Sequence, residues 1–410
     1  MQKDKTLKIA MLSIHSCPLG QLGSKDTGGM NVYVRELARE LGIQGNQVDI
    51  YTRAHDPQDA QIYYPNSNVR LIHIDAGESH KLGKLAQYTH LPIFYSRMQK
   101  FCMANSLTYD IVHSHYWLSG KVGQRFSQLW NVPHILMFHT LGNIKQRLGF
   151  VENEMSQRLV VEQNLIRQCS HIIASTQREK QDLIKSYFAS AEKITIIPCG
   201  VNLSLFKPSN GKKALGWLPP NSTRRILFVG RIEPLKGIDK LLVAVSYLRR
   251  RRKLKLLIIG DDNTSNPEIG RLKDLTKQLG IKKSVSFLGP KPQEELPHFY
   301  NIADLCVVPS QYESFGLVIL EAMACGTPVI ATPVGIANDI IQSKKNGYLL
   351  KDDNPSTMAQ LIEQLLFINQ DEVGDVGAVR ESVAEYDWSN VATAMTEKYS
   401  SLIRYPTTVS

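Results

Sequence analysis

PSQYESFGLVILEAMACGTP, Pro309–Pro328, is the stretch whose reading decides the fold. The apolar run Leu305–Val308 comes just before it and reads as a buried strand. Pro309 and Ser310 end that run. From Gly316 to Cys325 the spacing is helical, with Leu317, Leu320 and Ala324 in one row and Val318, Glu321 and Cys325 in the next. Gly326 reads as the helix cap, and Pro328 forbids continuation. Strand, tight turn and helix together form the building unit of an α/β domain. The helix start also offers backbone N–H groups to an anion or a sugar hydroxyl.

Strands and helices alternate on both sides of this stretch, which predicts α/β domains with parallel sheets. Lys8–Ile14, Val48–Tyr51, Val69–Ile74, Asp110–His113, His134–Phe138, His171–Ala174 and Lys193–Ile197 read as strands. Met30, Val34, Leu37 and Leu41 mark one apolar face of a helix between the first two. The segment Pro198–Ser222, rich in proline, glycine and small polar residues, reads as a linker. The pattern then restarts with strands at Arg225–Val229, Lys255–Ile259, Ser284–Leu288, Leu305–Val308 and Pro328–Ala331. Helices are expected at Ile238–Leu248, Pro267–Leu279 and Gln293–Asn301, and a last amphipathic one at Trp388–Ile403. Two similar halves predict two domains, 1–205 and 206–387, with a cleft between them and the segment 388–410 following.

Composition narrows the function classes. At 410 residues the chain is long for one domain. A net charge of +10 suits phosphorylated substrates, nucleic acid or an anionic membrane. The aromatic–basic alternation of a nucleic-acid module is absent, so no nucleic-acid partner is expected. Arg249–Lys253 is the densest basic run and reads as a solvated helix end, with a membrane-surface patch as the alternative. No apolar run reaches the length of a membrane span, and MQKDKTLK lacks the apolar region of a signal peptide. Six scattered cysteines without a C-x-x-C pair suit free thiols in a reducing cytoplasm.

Four groups of residues carry chemistry. Glu313 and Glu321 have seven residues between them. Eight helical steps cover roughly 12 Å, more than the roughly 5–9.5 Å of a carboxylate pair working across one glycosidic bond. They fit a ligand gripped at two places, such as a sugar joined through a diphosphate to a ribose. Gly28 and Gly29 sit directly before a helix, where the backbone can approach a phosphate or a sugar. Arg231 and Lys236 flank a turn after the first strand of the second half, and a guanidinium with an ammonium suits a diphosphate. His113 and His139 stand at strand ends, in HSHYWLSG and MFHTLGNIK.

Together these motifs resemble the retaining, group 1 glycosyltransferases of family 4, which have the GT-B fold of two Rossmann-like doubly wound domains. Glu313 and Glu321 match the family's E-x7-E motif, VGRIEPLKGID its G-R-x-x-x-x-K-G motif, and PCGVNLSLFKP its hinge. DTGGMNVYVRELA is similar to the inositol-phosphate N-acetylglucosaminyltransferases of mycothiol synthesis and to the sucrose-phosphate synthases. The resemblance implies a catalytic set of His139, Arg231, Lys236 and Glu313. It implies donor binding by Gly28, Gly29, Arg231, Lys236, Ser314, Phe315, Gly316, Leu317 and Glu321, with the nucleotide base near Gly289–Gln293. Tyr116, Thr140, Lys145 and Arg158 are implied on the acceptor side, and 388–410 is implied to pack back on the first domain. Two departures stand out: Tyr88 near the place of a phosphate-binding lysine, with Lys81 and Lys84 shifted, and Ile336 in place of a second glycine. The implied activity is transfer of a hexose-type sugar from a UDP- or GDP-linked donor to a small phosphorylated sugar or polyol, with no cofactor and no metal. A lipid-linked acceptor at a membrane, or a scaffold that binds sugar nucleotides without transfer, are the alternatives. Peripheral membrane contact and a homodimer are left open.

Overall fold

The structure is a computed structural model that describes residues 6–20, 28–78, 82–150, 153–209, 223–248, 253–261, 266–368 and 375–404. Lys81, most of the basic run Arg249–Lys253, residues 21–27 of the loop before Gly28 and residues 210–222 of the linker lie outside them. The chain forms two compact units. The first comprises Met1–Gly20, Gly29–Cys199 and Trp388–Ser410, and the second Gln21–Gly28 and Gly200–Asp387. The division after Cys199 precedes the 205/206 boundary read from the sequence. Val201 already bridges to Asp387, and the Phe206 carbonyl accepts from Arg380 at 2.8 Å, which ties this segment into the second unit.

Among the described residues the first unit carries an eight-stranded sheet. Its strands are β1 (Lys8–Leu12), β2 (Gln47–Arg53), β3 (Ile62–Asn66), β4 (Val69–Ile74), β5 (Ile111–His115), β6 (His134–Met137), β7 (His171–Ala174) and β8 (Ile194–Ile196). They lie in the order β3-β4-β2-β1-β5-β6-β7-β8, and every pair is parallel except β3 with β4. The sequence reading lacked β3. Pro65 interrupts it and its register shifts between Tyr63 and Asn66, both of which an edge strand tolerates.

The second unit carries β9 (Arg224–Val229), β10 (Leu254–Ile259), β11 (Val285–Phe287), β12 (Leu305–Val308), β13 (Val329–Ala331) and β14 (Gly347–Leu349). Their order is β11-β10-β9-β12-β13-β14, all parallel. The sequence reading lacked β14, which opens on Gly347, a residue that weakens a strand signal. β5, β6, β7, β12 and β13 are buried along their whole length, as expected of parallel strands covered on both faces; β12 and β13 read as unbroken apolar runs for that reason, while β5, β6 and β7 also bury histidines.

Strand order reverses between β1 and β5 in one sheet and between β9 and β12 in the other. Such reversals splay the following connections to opposite faces and open a crevice beyond the strands' carboxyl ends. The helix Gly29–Ile43 follows β1, and the helix Leu317–Ala324 follows β12. The helix Trp388–Arg404 belongs to the first unit, where it packs beside Gly29–Ile43. It buries Trp388, Val391, Ala392, Met395, Tyr399 and Leu402, the i, i+3, i+4, i+7 spacing of one apolar face. Gln44 fastens its start by donating to the Ser389 carbonyl at 2.9 Å. Among the described residues no helix is long and apolar enough to cross a membrane. All six cysteines are unpaired.

Candidate active site

In the second unit the charged residues gather beyond the carboxyl ends of the central strands β9 and β12. β9 ends at Val229, with Arg231 two residues on, 40 % exposed and paired with Glu233 at 3.0 Å. Lys236 closes a short 3-10 turn, Pro234–Lys236. The next residue, Gly237, has φ 64°, and a Cβ there would stand 2.2 Å from the Pro309 carbonyl oxygen. Only glycine permits that approach, which fixes the turn against the end of β12. Lys236 Nζ then donates to Glu313 Oε1 at 2.7 Å, and Ser310 Oγ donates to the same oxygen at 2.8 Å. Two motifs 77 positions apart in sequence thus meet in one half-buried ion pair.

The loop after Glu313 leads through Ser314, Phe315 and Gly316 into the helix Leu317–Ala324, whose first N–H groups have no intrahelical acceptor. Ile336, the departure from the family pattern, is buried, and its N–H donates to the Phe315 carbonyl at 2.7 Å. The substitution therefore leaves the backbone hold on this loop in place. Glu321 lies further along the helix in a different environment. It is 7 % exposed and accepts from the Tyr300 hydroxyl at 2.8 Å and from Gln293 Nε2 at 3.3 Å. Glu313 and Glu321 share none of these partners. Gly28 groups with this unit too, and a Cβ on it would stand 3.9 Å from Arg231 Nε. Gly29 opens the first unit's helix Gly29–Ile43.

The first unit gathers its polar groups in the same way beyond β5 and β6. Tyr116 follows β5 and His139 lies just past β6. Both have positive φ, 76° and 59°. For residues other than glycine this costs about 1–3 kcal/mol, and such strain concentrates at functional sites. The Tyr116 ring is a meeting point. Arg158 lies 4.9 Å from its centroid, Lys84 Nζ 5.9 Å, and the His15 ring 4.3 Å. Arg158 also donates to Thr140 Oγ1 at 3.0 Å and to the Thr140 carbonyl at 2.6 Å. It is fully buried against Glu162 at 2.7 Å, and Glu162 in turn accepts from the Tyr187 hydroxyl and the Gly142 N–H. That last bond anchors the helix Gly142–Arg147, on which Lys145 sits half-buried.

Lys84 is the residue the motif comparison left out of place. At the start of the helix Lys84–Ala104 it reaches Tyr116, while Tyr88 accepts from Gln157 Nε2 at 3.1 Å. The sequence signal was only a lysine a few positions displaced. Tyr300, which holds Glu321, gave no signal, because a tyrosine in an apolar helix reads as core.

His139 stands apart from the Tyr116 group. Its Nε2 lies 2.9 Å from His115 Nδ1, and Tyr33 packs edge-on against its ring with centroids 5.2 Å apart. His113, assigned no role, meets the Tyr399 hydroxyl at 2.7 Å. Burial pushes His113 and His139 down to about 3 and holds His115 well below the ordinary imidazole range. Burial first, then the nearby Lys84, does the same to His15. These rings are neutral at physiological pH. Among the described residues no group of three or more His, Cys, Asp or Glu is arranged to hold a metal ion.

The family model for Glycosyltransferase Family 4 matches residues 27–205, and that for Glycosyl transferases group 1 matches residues 216–372. D-inositol 3-phosphate glycosyltransferase from Corynebacterium diphtheriae is 36 % identical, over 96 % of this chain and 94 % of its own. The enzyme of that name from Thermobispora bispora is also 36 % identical, over 96 % and 94 %. The structure of sucrose-phosphate synthase from Thermosynechococcus elongatus superposes with a TM-score of 0.88 at 30 % identity, over 97 % of this chain and 99 % of that one. Anabaena HepE, solved in complex with UDP-glucose, shares the fold with a TM-score of 0.76 at 20 % identity, over 97 % and 100 %. The chain is a glycosyltransferase of GT-B fold and belongs to family 4, group 1.

Proposed function

We propose that the protein is a retaining glycosyltransferase that moves a hexose-type sugar from a UDP- or GDP-linked donor to a small phosphorylated polyol or sugar. The convergence of Lys84 and Arg158 on Tyr116, with Thr140 bonded to Arg158, carries the acceptor assignment. Two cations and a hydroxyl gathered around the Tyr116 ring suit a phosphate, and a lipid acceptor would call for an apolar surface instead. The relatives named for D-inositol 3-phosphate and for sucrose phosphate support the same class.

On the donor side Arg231 and Lys236 bind the diphosphate, and the amides from Ser314 to Leu317 add donors to it. Glu321 takes the ribose, and Glu313 and His139 contact the transferred sugar. Negative charge grows on the diphosphate as the bond from the anomeric carbon to the phosphate oxygen breaks, and the two fixed cations stabilise it. In this reading they take the place of a catalytic metal ion. The acceptor oxygen bonds to the anomeric carbon on the face the diphosphate leaves, and its proton passes to the leaving phosphate oxygen. Configuration is thereby retained without a covalent enzyme intermediate. A cytoplasmic location follows, since sugar nucleotides and phosphorylated polyols are cytoplasmic compounds.

The test is UDP or GDP release from a panel of sugar nucleotides, each mixed with inositol 3-phosphate, hexose phosphates or unphosphorylated inositol. Release should require an acceptor phosphate, and the product should keep the donor's anomeric configuration by proton NMR. Equal rates with the unphosphorylated acceptor, transfer to lipid acceptors alone, or an inverted product would overturn the assignment.

A further inference from the structure

We infer that His115 acts as a positioning residue that holds His139 in the tautomer with its proton on Nδ1, so that His139 meets the sugar as a hydrogen-bond donor. This rests on the reading of His139 as a sugar contact. The argument begins with the proton shared across the 2.9 Å contact between His115 Nδ1 and His139 Nε2. Burial keeps both rings neutral, so each carries one N–H. Two arrangements are then open. In one, His115 Nδ1–H donates to His139 Nε2, which leaves the His139 proton on Nδ1. In the other, His139 Nε2–H donates to His115 Nδ1, and the His115 proton must then sit on Nε2.

His115 Nε2 decides between them. It is buried and has no hydrogen-bond partner. A buried N–H without an acceptor is rarer and more costly than a bare acceptor lone pair. The second arrangement creates such an orphaned N–H, whereas the first leaves only a lone pair. The surroundings keep water from rescuing the second. His115 is fully buried, Tyr33 lies against it with ring centroids 5.6 Å apart, and Trp388 backs Tyr33 at 5.4 Å. His113 closes another side at 4.2 Å, held by Tyr399. Meanwhile His139 is half-buried, and its Nδ1 makes no hydrogen bond among the described residues. The positive φ of His139 holds the ring in this relation to His115.

The consequence is a division of labour. His139 does not accept a proton from the acceptor. It donates to a sugar hydroxyl oxygen, and the leaving phosphate stays the proton acceptor. His115 never meets substrate.

The full-length protein with ring-labelled histidine, studied by two-bond proton–nitrogen correlation, reads the tautomer directly, with His139 assigned from His139→Ala. A protonated Nδ1 on His139 in the wild type is expected, and an unprotonated one overturns the inference. His115→Phe should give a mixture of His139 tautomers and lower kcat about ten- to a hundredfold with little change in donor KM. His115→Asn places an amide N–H where Nδ1–H was and should restore most of the turnover. Equal losses in the Phe and Asn variants would refute the positioning role. If His139→Ala retains wild-type turnover, the functional reading fails instead, and the spectra still decide the tautomer.

Discussion

Acid should unfold the first unit while sparing the second. Ten of the eleven histidines belong to the first unit, and only His298 to the second. Burial holds His113, His134 and His139 at about 3, against an ordinary value near 6.5. A folded value below the unfolded one means that the unfolded chain binds more protons in the interval between them. The stability is therefore fully present above about pH 6.5 and is lost as the pH falls toward about 3. At pH 5 each such histidine costs about 2 kcal/mol relative to neutral pH. Three of them cost about 6 kcal/mol, comparable with the whole stability of a domain. His134 isolates the effect, because its ring meets Ser114 Oγ, at 2.9 Å, through Nε2, its other ring nitrogen has no hydrogen-bond partner among the described residues, and it lies outside the proposed sugar contacts. The amide of His134→Gln can keep that bond without a titrating ring, so the variant should lose about 2 kcal/mol less on acidification. Urea titrations followed by tryptophan fluorescence suit the measurement, since three of the four tryptophans, Trp117, Trp130 and Trp388, lie in the first unit, and Trp217→Phe would remove the fourth. An unfolding free energy that stays flat between about pH 7 and 5, or a His134→Gln slope equal to wild type, would refute the reasoning.

Arg231→Ala and Lys236→Ala should each lower turnover at least about tenfold by removing charge from the leaving diphosphate, and near-normal steady-state rates in both would reject that role. Glu321→Ala should weaken UDP or GDP binding by about 1.5–3 kcal/mol in titration calorimetry, the worth of hydrogen bonds to a charged group, and unchanged affinity for the nucleotide that binds would count against the ribose contact. Lys84→Ala should raise the acceptor KM about tenfold with little change in donor KM, and the reverse pattern in initial rates would detach Lys84 from the acceptor phosphate. Lys84 pairs with Glu154 at 3.7 Å and stays partly exposed, so it is a better probe than Arg158, whose removal from its fully buried 2.7 Å pair would leave Glu162 charged at a cost of about 3–5 kcal/mol.

The central strands and the helix after β12 were legible because parallel strands buried on both faces are mostly apolar and alternate with amphipathic helices. β3 was hidden by Pro65, and β14 by the glycine on which it opens. At the site, Arg231, Lys236, Glu313 and Glu321 stood out because they match the family's G-R-x-x-x-x-K-G and E-x7-E motifs, while their spacing alone fits surface charges equally well. Their partners were not. Tyr300 reaches Glu321 from another helix, and Lys84 reaches Tyr116 from 32 positions upstream. A contact made across the fold leaves no local period in sequence. His115 was quoted within a motif but given no work, since a histidine at the end of a buried strand looks the same whether it fills space or directs a neighbour.

The helix Trp388–Arg404 gives the first unit a history. The chain leaves that unit at Cys199 and returns only at Trp388. A ribosome adding about 5–20 residues per second needs roughly ten to forty seconds to cross the interval. Throughout it, Tyr33 has no Trp388 behind it, His113 has no Tyr399, and the helix Gly29–Ile43 shows water a face meant for packing. The second unit can mature on its own during synthesis, whereas the earlier-made first unit must wait. The nascent protein thus passes through a stage with a finished second unit and an unfinished histidine cluster beside the unpacked face of Gly29–Ile43.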